Sequence, residues 1–140
     1  MTSVKLFLSL FCLFFFISTA NAYTISPGPI KKWGDPTLGT GATISYSFML
    51  GGEECDQAVC SPLNSFMPTG FQQEIKKAFN AWSSVANLNF IEVADDGANF
   101  NTLTTSGDIR IGGEAIDGPS GVLAHAFYPD THWYFSAGGD

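Results

Sequence analysis

The sequence predicts an α/β fold: a partly parallel sheet with one long helix packed on it. Three features of its 140 residues support this. Residues 42–50 alternate apolar and polar side chains, the period of a half-buried strand. Residues 71–85 repeat apolar side chains at helical spacing. Short β-prone runs then follow at 88–93 and 108–111. Strand, helix, strand in that order implies a crossover and parallel pairing.

Composition narrows the class. The chain is 45% hydrophobic and only 14% charged, which argues against disorder. Six Lys and Arg stand against 13 Asp and Glu, for a net charge of -7. That balance excludes binding to a nucleic-acid backbone, which needs clustered cations. Fifteen Gly and seven Pro exclude a structural coiled coil. The length suits one domain.

Residues 1–22 read as a secretion signal. Lys5 supplies the positive start, residues 6–17 form an apolar run broken only by Ser9, and Ala20-Asn21-Ala22 is a small-x-small cleavage site. The run is shorter than the ~20 residues that span a bilayer. The expected product is secreted and extracellular, without membrane attachment after cleavage; an uncleaved anchor is the weaker alternative. Two cysteines then remain, Cys55 and Cys60. In an oxidising compartment they are expected to pair and staple a local turn. Zinc binding by this pair is disfavoured, because no further Cys is nearby.

Each element has its own justification. Residues 23–41 are rich in Pro and Gly, lack a period, and read as an extended arm. In strand 42–50, Ile44, Tyr46, Phe48 and Leu50 share one face, and Ser45, Ser47 and Met49 the other. Residues 51–68 read as loop. In the helix 71–85, Phe71, Ile75, Ala78, Phe79, Trp82 and Val85 form the apolar stripe, while Glu74, Lys76 and Lys77 are expected in water. Thr69 and Gln72 have capping-box spacing. Strand 88–93 follows, then a polar loop in which Asp95 and Asp96 are expected to be solvated. Ile109 and Ile111 are expected to face inward from strand 108–111, and residues 122–128 read as a fourth strand.

Two features carry possible chemistry. Asp117 opens the turn Asp117-Gly118-Pro119-Ser120-Gly121. A carboxylate beside free carbonyls suits Ca²⁺, which takes 6–8 oxygen ligands; the alternative is an Asx-turn. His125 is a potential metal ligand, although a lone strand histidine is more often simply hydrogen-bonded.

Taken together, these segments resemble the N-terminal half of the catalytic domain of a matrixin-type metzincin, a secreted zinc metallopeptidase. The resemblance is carried by Ile44 to Phe48, the helix from Glu74 to Val85, Leu88 to Phe90, Gly107-Asp108-Ile109-Arg110-Ile111, and the run from Asp117 to Pro129. It implies a metzincin-like twisted, mostly parallel sheet with an antiparallel edge strand, incomplete at the C-terminus. Residues 42–140 would form a partial catalytic domain, monomeric and acting on a protein or peptide substrate.

By the same resemblance, Asp117 with the carbonyls of Gly118, Ser120 and Val122 would hold a structural calcium. Asp108 and Asp140, with carbonyls near Ser136 and Gly138, would hold a second. His125 would ligate a structural zinc. Leu123 and Ala124 would lie on the edge strand to which an extended peptide adds.

The sequence also departs from the family. The His-Glu-x-x-His motif, which holds the catalytic zinc and supplies the general base, is absent from these residues. Its ligands are expected beyond Asp140, so no residue present is assigned as catalytic. Between Ile111 and Asp117, where the family has a His-x-Asp pair for the structural zinc, only Glu114 is available. Residues 23–41 contain no Cys to hold the enzyme latent. The alternatives are a non-catalytic secreted module binding calcium or peptides, and a non-functional truncated product.

Overall fold

The computed structural model describes residues 32–127 and residue 129. The expected signal, residues 23–31 of the arm, and Ser136, Gly138 and Asp140 lie outside the described residues. Four main elements follow in order: β1 (Ala42–Phe48), α1 (Phe71–Val85), β2 (Leu88–Glu92) and β3 (Ile109–Ile111). The sheet order is β2-β1-β3, and both pairings are parallel. Ala42 pairs with Leu88 and Tyr46 with Glu92 on one side; Tyr46 pairs with Ile109 and Phe48 with Ile111 on the other. This is the expected α/β architecture. No antiparallel edge strand joins this sheet among the described residues.

β1 is central, and both of its faces are used. Ile44 and Tyr46 are buried toward α1. Phe79 of α1 stacks on Phe90 of β2 at 4.5 Å and packs tilted on Tyr46 at 4.5 Å, while Phe71 meets Phe48 edge-on at 6.0 Å. These geometries favour aromatic pairs. Lys76, expected in water, reaches across to Glu92 of β2 at 2.6 Å, and Glu92 also accepts from the Tyr46 hydroxyl. Lys77 pairs instead with Glu74 on the same helix.

The opposite face of β1 is polar, and it is closed around Ser47. Ser47 is fully buried and donates to Asp95 at 2.7 Å. Arg110 of β3 grips Asp95 bidentately, through Nε at 3.0 Å and Nη2 at 2.8 Å. Both side chains are wholly buried. Arg110 also donates to the Ala98 carbonyl, which ties the 94–107 loop to the sheet. Burial pushes the Asp95 carboxyl up, but Arg110, Ser47 and the Gly97 N–H together hold it below the usual carboxylate range.

Several expectations need correction. Asp95 is not solvated; it is the counterion that a buried arginine requires. Asp96 is exposed but holds the loop as an acceptor, and Thr104 first, then the N–H groups of Thr105 and Ala98 and the Ser106 hydroxyl, pull its carboxyl strongly down. β1 ends at Phe48, leaving Leu50 exposed, because the ladder to β3 runs out at Ile111.

α1 begins after Gly70, whose left-handed backbone (φ 90°) supplies the entry without a side-chain cap, so the Thr69–Gln72 capping box does not form. Trp82 and Val85 are exposed rather than buried. Residues 122–127 form no strand, since no sheet edge meets them among the described residues. Residues 32–40, expected to be extended, curl into a turn in which the Thr37 N–H donates to Asp35 and Lys32 to the Asp35 carbonyl.

Candidate functional site

Three segments converge beyond the end of β3. The first is the Cys55–Cys60 turn, closed by the disulfide (Cα–Cα 5.2 Å) and by the Cys55 N–H donating to the Ala58 carbonyl at 2.8 Å. A single antiparallel bridge between Glu54 and Val59 completes it. The second is the 112–116 connection. A Cβ on Gly112 would come within 2.7 Å of the Met49 sulfur, and one on Gly113 within 2.5 Å of the Phe66 ring. Only glycine lets the chain pass this close. The passage delivers Glu114 to the disulfide turn, where its Oε2 accepts from the N–H groups of Gln57 (2.8 Å) and Ala58 (3.0 Å).

The third segment is 123–127. Leu123 and Ala124 line a cleft of about 330 Å³ together with Met49, Leu63, Ile111 and Phe127. His125 lies edge-on to Phe127 at 5.2 Å, and its Nε2 stands 3.7 Å from Asp56 Oδ2 and 3.8 Å from Glu114 Oε1. His125 and Glu114 were both visible in the sequence as potential donors. Asp56 was not, because nothing local distinguishes it from any loop aspartate; only the disulfide pairing could have hinted at its placement.

The Asp117 turn sits on the surface. Asp117 Oδ1 accepts from the Val122 N–H at 2.8 Å, and Gly118 and Ser120 have left-handed backbones. The carboxylate thus closes its own loop, with the exposed residues Gly118, Ser120 and Val122 around it. Asp108 is elsewhere, at the start of β3, where its Oδ2 accepts from the Ser45 N–H and hydroxyl at 2.8 and 2.7 Å. Leu123 is 93% exposed and Ala124 is exposed too, so both are open to a binding partner.

A catalytic zinc does not fit the residues present. The sequence has no His-Glu-x-x-His, and among the described residues the one His/Cys/Asp/Glu group of metal-binding proximity is Asp56, Glu114 and His125. The Asp117 turn offers oxygen donors alone, the chemistry that calcium takes.

The matrixin family model matches residues 58–138, more than half of the chain. The chain belongs to the matrixin family. The match takes in α1, β2, β3 and the whole 112–127 passage. Among relatives, the chain is 40% identical over 101 residues to a hatching enzyme of Paracentrotus lividus, covering 64% of this chain and 14% of that protein. It is 44% identical over 57 residues to an interstitial collagenase of Equus caballus, covering 41% of this chain and 12% of the relative. It is 37% identical over 72 residues to the metalloendoproteinase 4-MMP of Arabidopsis thaliana, covering 46% and 19%. This matrixin chain thus spans less than a fifth of the length of these curated relatives. No solved structure matches it. No helix among the described residues is long and apolar enough to cross a membrane.

Proposed function

We propose that this chain forms the substrate-facing front of the catalytic domain of a secreted, zinc-dependent metalloendopeptidase. The observation that carries the reading is the family match laid over a parallel α/β sheet. In this reading the sheet and α1 form the scaffold, and the exposed backbone at Leu123 and Ala124 receives an extended substrate peptide by main-chain hydrogen bonding. The Asp117 turn, with Gly118, Ser120 and Val122, holds calcium and fixes the approach to that segment. Asp108 belongs to the second calcium site.

These residues bind and orient; hydrolysis needs a metal-bound water and a general base that they do not supply. The zinc ligands and the base come from a His-Glu-x-x-His segment outside these 140 residues.

The test is to titrate the purified chain with fluorescent extended peptides, assay it for cleavage, and repeat the assay after joining it to a matrixin segment that bears the motif. The expected result is peptide binding without cleavage by the chain alone, and zinc-dependent cleavage by the joined protein. A joined, folded protein that neither binds nor cleaves overturns the reading.

A further inference from the structure

We infer that the Cys55–Cys60 turn and Glu114 form a thiol-operated latch, which holds the 112–127 passage while the disulfide is intact and frees it on reduction. The ring closed by the disulfide contains Gln57 and Ala58, whose N–H groups converge on Glu114 Oε2 at 2.8 and 3.0 Å. Successive backbone N–H groups turned to one point cradle an anion, and hydrogen bonds to a charged acceptor are stronger than neutral ones. The Glu114 side chain is only 8% exposed, so opening the ring would leave it largely out of water without its donors.

Two further contacts seat the passage on the same turn. The Ser61 N–H, one residue past the ring, donates to the Gly113 carbonyl at 2.7 Å. Gly112 runs against the disulfide itself, since a Cβ there would come within 3.1 Å of the Cys55 sulfur and 3.3 Å of the Cys60 sulfur. β3 ends at Ile111, and residues 112–127 belong to no helix or strand. The sheet ladder therefore does not secure what the turn lets go.

The bond is open to attack from one side. Cys60 is buried, whereas Cys55 is partly exposed and lines the cleft. The reductant is a small thiol or a dithiol. Its thiolate attacks Cys55 Sγ, the S–S bond breaks, and Cys60 leaves as a thiolate that takes up a proton. A second thiol resolves the mixed disulfide at Cys55, so two external thiols end as one disulfide and both cysteines as thiols. Exposed disulfides are the labile, regulatory class. The latch does not rest on the peptidase reading; under that reading it governs the segment that carries Leu123 and Ala124.

The test is limited proteolysis with a protease of broad specificity, its cuts mapped by mass spectrometry. The samples are the oxidised chain, the chain reduced with dithiothreitol, and two variants with the disulfide intact, Glu114→Ala and Glu114→Gln. In the reduced chain and in Glu114→Ala, cleavage within 112–127 should rise roughly tenfold more than cleavage within α1, the factor that loss of a hydrogen bond to a charged group carries. Glu114→Gln keeps an oxygen that can accept from both N–H groups and should recover part of the parent's resistance. No selective rise within 112–127 on reduction or in Glu114→Ala overturns the inference. So does a Glu114→Gln chain cut as fast as Glu114→Ala.

Discussion

The two faces of the sheet invert the usual arrangement. The face toward α1 is aromatic, yet it is left half-open: Phe79 and Phe90 are only partly covered, and Trp82 is 63% exposed. An apolar groove runs there past Trp33, Ile44, Trp82, Leu88 and Ile109. The opposite face carries serine, aspartate and arginine, yet at Ser47, Asp95 and Arg110 it is removed from water. Apolar surface tolerates partial exposure at a cost that scales with area. A buried charge tolerates no such compromise and needs its partner and hydrogen bonds in full. The polar face should therefore be the less forgiving of the two.

The largest effect should come from breaking the ion pair. Arg110→Ala leaves Asp95 buried without its counterion and should cost about 3–5 kcal/mol, the range for such losses. Urea denaturation would read it; a loss below about 1 kcal/mol would make the closed face no more critical than the open one.

Acid sharpens the same contrast. Asp95 is held below the ordinary carboxylate range, so its contribution is fully present above its unfolded pKa of about 3.9 and is lost as pH falls through its lower folded value. Stability should decline from about pH 4 downward, and Asp95→Asn should flatten that decline. Urea midpoints compared at pH 6 and pH 3 test the sign.

On the open face, Phe79→Ala removes both the Phe90 and the Tyr46 contacts. It should cost about 2 kcal/mol, less than the ~3–5 of a fully buried phenylalanine. Replacing both Cys55 and Cys60 by serine opens a six-residue loop and should cost about 2 kcal/mol on loop entropy. Trp82→Ser should change stability by less than about 0.5 kcal/mol, since its side chain faces solvent. A large loss there would mean that something covers the groove.

The same division explains what could be read in advance. α1 was legible residue for residue, because six apolar side chains repeat with one helical period and a local period needs no knowledge of partners. The three parallel strands were legible to within a residue or two for the same reason. The polar face was not. Asp95 sits beside Asp96 in a run of loop formers, and only Arg110, 15 residues on between two isoleucines, signals that a counterion must exist.

The candidate site divides likewise. His125 and Glu114 stood out by type, whereas Asp56 joins them only because two glycines let one segment slip past a disulfide. Residues 122–128 had the composition of a strand, but composition carries no information on whether an edge is within reach.

The central position of β1 bears on how the molecule comes into being. Its partners begin 40 residues after its last residue and end at Ile111, so this strand has nothing to pair with until residues 88–111 have been made. Pairings this distant in sequence are slow to form. Meanwhile Ile44, Tyr46 and Phe48 stand as a bare sticky segment, and folding yield should depend on shielding that segment during synthesis.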